Sequence, residues 1–172
     1  RGSTYAEVAK LTAADAASGD GFGYSVAIAG DTVAISGGGS VYIFRTTDGG
    51  GTWSQVAKLV ASDGVSVSRV AISGDVVVAG ATSDDSTAIN AGAVYVFRTS
   101  DGGATYAQVA KLTASDAAAH DYFGGSVAID ADPIVVGASY KNQRSGAVYV
   151  FHTTNGGATY GQVAKLTARW PS

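Results

Sequence analysis

Apolar residues in this chain come in short runs, and inside the runs they alternate sides with a period of two. In Ala93-Val-Tyr-Val-Phe97, Val94 and Val96 face one way while Tyr95 and Phe97 face the other. Both sets are apolar, so the pattern predicts sheets covered on both faces. Four such segments recur in order. The first unit holds Tyr24–Ile28, Thr32–Ser36, Ser40–Phe44 and Trp53–Leu59. The second holds Ser68–Ile72, Val76–Gly80, Ala93–Phe97 and Tyr106–Leu112. The third holds Gly125–Ile129, Pro133–Ala138, Gly146–Phe151 and Tyr160–Leu166. Gly30-Asp31 and Gly74-Asp75 are two-residue hairpin signals between the first and second strands, with the less turn-prone Ala131-Asp132 in the third unit. No helical period interrupts the pattern.

The fourth segment sets the period. Gln-Val-Ala-Lys-Leu stands at 55–59, 108–112 and 162–166, and Glu-Val-Ala-Lys-Leu at 7–11. The aromatics that precede them, Tyr5, Trp53, Tyr106 and Tyr160, are 48, 53 and 54 residues apart. A period near fifty marks a modular array whose units bury their faces by stacking. The expected fold is all-β: tandem four-stranded antiparallel blades of β-propeller type, in one repeat domain over 1–172. The units fall at about 12–59, 60–112 and 113–166, with an extra fourth-type strand at 5–11. Propellers close with roughly four to eight blades. Three units and a spare strand therefore predict a segment of a longer propeller or a protomer completed by other copies, as a ring or a filament. A three-sheet prism closing on itself is the alternative architecture. Lys10, Lys58, Lys111 and Lys165 all fall in the fourth strand, the expected outer edge, where a charge discourages stray pairing.

Two motifs resemble known repeats. Asp20-Gly-Phe-Gly-Tyr-Ser-Val-Ala-Ile28 and Asp121-Tyr-Phe-Gly-Gly-Ser-Val-Ala-Ile129 resemble the FG-GAP repeat of integrin α-subunit propellers, as do Gly80-Ala81, Gly137-Ala138 and the Gly-Ala-Val-Tyr-Val-Phe strand. The second unit departs from it with Ser66-Val-Ser-Arg-Val70, and the first with Ser36-Gly37. The resemblance implies an extracellular or cell-surface adhesion or structural module. Integrin-like repeats often carry a calcium loop between strands one and two. Here that connection is two residues, too few for the roughly six to eight oxygen ligands calcium takes, so calcium is not carried over. Asp84 with Asp85, or Asp15 with Asp20, are the remaining metal candidates. The second motif, Thr46-Thr-Asp48-Gly-Gly50-Gly-Thr-Trp53, resembles the Asp-box hairpin. It recurs with Asp101, Gly103 and Tyr106, and with Asn155, Gly157 and Tyr160. Its side-chain oxygen accepts from turn amides while glycine supplies positive φ. In the families that carry it, the hairpin lies away from the active site.

Composition narrows the function. Hydrophobic residues make up 46% and charged residues 15%, which excludes disorder. A net charge of −3 offers no footprint for nucleic acid, and the apolar runs are too short for helical membrane insertion. There is no Cys, hence no disulfide or thiolate metal site. There is no Met either, which predicts a processed or excised chain. Glycoside hydrolysis needs a carboxylate pair, and the single Glu, Glu7, stands where other units carry Gln. Arg45, Arg98 and His152 are spread one per unit and do not converge; His120 has no nucleophile elbow beside it. The expectation is a non-enzymatic, cofactor-free extracellular module whose partners are its own copies or further repeats. A carbohydrate-binding, lectin-like propeller with glycan partners is the alternative.

Overall fold

The computed structural model describes residues 6–168. It contains three four-stranded antiparallel sheets, each wound in sequence order. Sheet one is β1 (Val26–Ala29), β2 (Thr32–Gly37), β3 (Ser40–Arg45) and β4 (Ser54–Leu59). Sheet two is β5 (Arg69–Ser73), β6 (Val76–Ala81), β7 (Ala93–Arg98) and β8 (Ala107–Leu112). Sheet three is β9 (Ser126–Ile129), β10 (Ile134–Ala138), β11 (Ala147–His152) and β12 (Gly161–Leu166). A single irregular turn over Lys141–Arg144 is the one helical stretch among the described residues, and its Asn142 and Gln143 have left-handed backbone angles. No helix there is long and apolar enough to cross a membrane.

The two-sided apolar alternation is satisfied by stacking. Val41 and Ile43 of sheet one pack on Val70, Ile72, Val77, Tyr95 and Phe97 of sheet two. The opposite side chains of sheet two, Val78, Val94 and Val96, pack on Ile134, Val136, Tyr149 and Phe151 of sheet three. The third cluster, Ile35, Tyr42, Phe44 and Ala13, lies on the near face of sheet one. The sheets thus stack one, two, three with β1, β5 and β9 side by side, as propeller blades do. They do not close into a prism: among the described residues no core cluster joins sheets one and three.

Close approach of backbones fixes this stacking. A methyl group on Gly80 would stand 2.1 Å from the carbonyl oxygen of Gly124, and one on Gly92 2.1 Å from that of Phe123. The turn leading into sheet three can sit against sheet two only because both positions lack a side chain. Phe22 and Phe123, the aromatics of the Phe-Gly elements, meet the third strand edge-on. Phe123 lies 5.4 Å from Tyr149 and 5.9 Å from Phe151, and Phe22 lies 5.5 Å from Tyr42. In the second unit Val67, fully buried, takes that place.

Each third–fourth strand pair carries one irregularity in the same position, between Ile43 and Phe44, Val96 and Phe97, and Val150 and Phe151. An inserted residue turns the following side chain. Here it aims Gln55, Gln108 and Gln162 at the amides of Ala14, Ser62 and Ser115, at 2.9, 2.9 and 3.0 Å.

The extra strand expected over 5–11 is not formed. Tyr5 lies outside the described residues. Residues 6–11 pair with no strand among the described residues, and Val8 is 76% exposed. The reason is occupancy: β3, β7 and β11 each already hold a fourth strand, β4, β8 and β12.

Candidate functional site

Three kinds of polar cluster repeat once per sheet. The first is built from the fourth-strand lysines. Lys58 pairs with Asp15 at 2.5 Å, Lys111 with Asp63 at 2.8 Å, and Lys165 with Asp116 at 2.6 Å. Each ammonium also stands over the third-strand tyrosine ring, 5.1 to 5.7 Å from the centroids of Tyr42, Tyr95 and Tyr149. The Tyr149 hydroxyl donates to Asp116 at 2.8 Å, and that of Tyr95 to Asp63 at 2.8 Å and to Asp84 at 2.9 Å. These lysines tie the outer strand to the link that opens their own unit. The signal was present: Asp15, Asp63 and Asp116 repeat at the same 48- and 53-residue spacing as Lys10, Lys58 and Lys111.

Burial alone would raise the Asp63 carboxyl, but hydrogen bonds from Lys111 and Tyr95 outweigh it and hold the pKa at about 2. Asp116 is brought to about 2 in the same way by Lys165 and Tyr149. Burial and the carboxylates push the Tyr95 and Tyr149 hydroxyls upward. A carboxyl depressed in the fold stabilises above its ordinary value of 3.8 and loses that contribution as pH falls through the folded value of about 2. Stability to urea is therefore expected to decline between about pH 4 and pH 2, and the Asp63→Asn and Asp116→Asn variants should show a shallower decline. Both carboxylates are more than a third exposed, so the effect shrinks in high salt.

The second cluster is the Asp-box hairpin between strands three and four. Asp48 accepts from the Thr52 amide at 2.9 Å and from the hydroxyls of Thr46 and Thr52 at 2.7 Å. Asp101 does the same with Thr105 and Thr99. These bonds, the Thr52 amide foremost for Asp48 and the Thr105 hydroxyl for Asp101, hold both carboxyls well below the usual range. Asn155 keeps the arrangement with its amide: its oxygen accepts from Thr159 N at 2.9 Å and its nitrogen donates to the Thr159 hydroxyl at 2.8 Å. Gly50, Gly103 and Gly157 have φ of 102°, 92° and 90° and donate to Thr46, Thr99 and Thr153. Those threonines, which occupy one register in all three units, are the partners the motif reading overlooked. Trp53 packs with the near-face cluster and donates to the Gly50 carbonyl, while Tyr106 and Tyr160 pack into the two inter-sheet cores.

The third cluster crosses between sheets. Arg45 donates to the carbonyl of Gly102 and Arg98 to that of Gly156, so each arginine clasps the hairpin of the following sheet. His152, the third member, instead meets Asp132 at 2.6 Å.

Asp84 and Asp85 do not share a site. Asp84 is buried, and its oxygens are taken by Lys111 at 2.7 Å, Tyr95 and Ser86. Asp85 is exposed and accepts from the Asn90 amide. Asp15 is taken by Lys58, and Asp20 accepts from the Ala17 amide. Among the described residues no group of three His, Asp or Glu side chains is placed to hold a metal. A cleft of about 470 Å³ on the far face of sheet three is lined by Gly137, Ala138, Val148, Leu166 and neighbouring small residues, with no titratable side chain among the described residues.

The FG-GAP repeat profile matches residues 5–44, 53–97 and 106–151. The chain belongs to the FG-GAP repeat family. The second and third matches open at Trp53 and Tyr106, the aromatics just before β4 and β8, and all three close at a third-strand Phe, so the family unit is offset by one strand from the sheet. Among solved structures, this FG-GAP chain is similar to Sqt1 of Saccharomyces cerevisiae, with 14% identity and a TM-score of 0.58 over 87% of this chain and 37% of that one. It is also similar to the GH93 alpha-L-arabinofuranosidase of Fusarium graminearum in complex with arabinobiose, with 13% identity and a TM-score of 0.50 over 72% and 41%. Both likenesses concern the fold. The FG-GAP chain spans less than half the length of either. No sequence among curated proteins matches it.

Proposed function

We propose that this FG-GAP chain is a non-enzymatic structural and adhesive module of the extracellular space, whose two end faces stack on further blades supplied by other copies or by further repeats. One observation carries the reading: equivalent residues are buried between sheets and bare at the ends. Val94 and Leu112 are 0% and 4% exposed under sheet three, whereas their counterparts Val148 and Leu166 are 36% and 58% exposed. Val70 and Ile72 are 6% and 8% exposed against sheet one, whereas Val26 and Ile28 are 64% and 65% exposed. The far face of sheet three is thus the kind of surface that already receives a sheet twice within the chain, and the near face of sheet one is the kind that docks there. The polar groups support the non-enzymatic part, since Asp48, Asp63, Asp84, Asp101 and Asp116 are engaged in turns and ion pairs. Sedimentation velocity across a concentration series, with electron microscopy of the same samples, tests the reading. Species that grow beyond 17.1 kDa with concentration are expected. A single monomeric species at every concentration rules out other copies and leaves further repeats of one chain to cover the ends.

One cluster favours a carbohydrate-binding second reading. Tyr122 and Tyr140 meet edge-on at 4.9 Å and Arg144 lies 4.9 Å over Tyr140, which is 45% exposed. His120, Tyr122 and Arg144 there adopt positive φ, which costs energy for such residues and is concentrated at binding sites. Binding on a glycan array that is lost in Tyr140→Ala supports it.

A further inference from the structure

We infer that residues 6–11 are a donor strand, which takes the place of β12 beside β11 of a second copy when two copies stack. The inference rests on the end-to-end stacking proposed above and states how it occurs.

The segment has the sequence of an outer strand. Val8-Ala-Lys-Leu11 is identical to Val163-Ala-Lys-Leu166, and Glu7 stands in register with Gln162. Its place in the family unit agrees. The second and third profile matches open at residues 53 and 106, and those opening stretches are β4 and β8, outer strands of the sheet before. The first match opens at residue 5, so residues 6–11 are built to edge a sheet preceding sheet one.

Their position agrees as well. Leu59 with Ala61 and Leu112 with Ala114 sit in the two inter-sheet cores, where the outer strand of one sheet runs into the link of the next. Leu11 and Ala13 pack in the equivalent place on the near face of sheet one. Docking that face on the far face of a partner's sheet three carries residues 6–11 to the outer edge of the partner's β11. That edge is held by the partner's β12. Two strands cannot occupy one ladder, so stacking requires one of them to leave.

The exchange is balanced in what it breaks and makes. β12 pairs with β11 in the register Val148–Leu166, Tyr149–Lys165, Val150–Ala164 and Phe151–Gln162. The incoming segment offers Leu11, Lys10, Ala9 and Glu7 to the same positions. Lys10 has no ion pair among the described residues and would take the place of Lys165, which pairs with Asp116 at 2.6 Å. The Glu7 carboxylate replaces the Gln162 oxygen that accepts from Ser115 N at 3.0 Å. β12 buries less apolar surface than β4 or β8, with Val163 and Leu166 62% and 58% exposed. Ladder bonds lost within one copy are regained between copies, and the apolar end faces are covered in addition.

The test is the double substitution Ala9→Pro with Lys10→Pro in the full chain. Adjacent residues of a strand point their amides in opposite directions, so the pair removes one ladder donor in either register. In the monomer both positions are exposed and belong to no strand among the described residues. The variant is expected to keep the wild-type thermal midpoint as a monomer and to associate at least tenfold more weakly in sedimentation velocity. Limited trypsin digestion read by mass spectrometry is the second measurement. Cleavage after Lys10 in the monomer should give way to cleavage after Lys165 in the assembly. An associating wild type whose double-Pro variant associates equally, or whose Lys10 site stays open in the assembly, overturns strand donation and leaves stacking in place. A wild type that stays monomeric overturns both, and points to further repeats of one chain as what covers the ends.

Discussion

Phe123→Ala should lower the stability of the chain by about 3–5 kcal/mol, the range for removing a fully buried aromatic. Phe123 is 0% exposed and belongs to the core shared by sheets two and three, edge-on to Tyr149 and Phe151. The same substitution at its repeat counterpart provides an internal control. Phe22 makes the corresponding edge-on contacts with Tyr42 and Phe44, but on the near face of sheet one, where no further sheet covers it. Phe22→Ala should cost less than about 2 kcal/mol, because less area leaves water on folding there. Urea unfolding of both variants at low protein concentration measures the difference. Equal losses would mean that sheet two contributes nothing to the burial of Phe123, contrary to the packing described above.

A second pair of counterparts gives the other large effect. Lys111→Ala strips the buried Asp84 of its ammonium partner and should destabilise by about 3 kcal/mol at neutral pH, since a buried charge without its counter-ion is the costly case. Lys58→Ala removes a pair in which both partners are more than a third exposed, and its effect on the urea midpoint should be small. The sign of the pH dependence distinguishes charge from packing. With Lys111 present, the Asp84 pKa is lowered: burial alone would raise it, and Lys111 and the Ser86 and Tyr95 hydrogen bonds overcome that. Without Lys111, burial acts with less opposition and the carboxyl takes up its proton at higher pH. The gap between wild type and Lys111→Ala should then narrow as the medium is acidified. A gap independent of pH would assign the loss to the packing of the lysine stem over Tyr95.

The strands were legible because period-two alternation and the recurring Gln-Val-Ala-Lys-Leu block specify the same elements, and observed strand ends fall within about two residues of the expected ones. The second unit was readable despite losing its Phe-Gly element, since Val67 fills the same space and Ser68 N still donates to the Gly80 carbonyl at 2.8 Å. What the sequence concealed was partnership across units. Nothing local to Arg45 indicates that it reaches the Gly102 carbonyl 57 residues away. Nothing local to Lys111 indicates that Asp84, set in a loop absent from the first unit, will be enclosed beside it. Residues 6–11 show the same limit from the other side. Their strand-like sequence is real, but a strand exists only beside an open ladder, and each of the three candidate neighbours is already satisfied.

The recurring irregularity between the third and fourth strands has a bearing on shape. It twists the outermost strand of every sheet in the same place, and beside it stands a lysine already committed to an aspartate. Such rims are poor templates for sideways pairing with foreign strands. On the stacking proposed above, growth is thereby confined to one axis: added leaves would make the molecule longer, with no ready means of becoming wider.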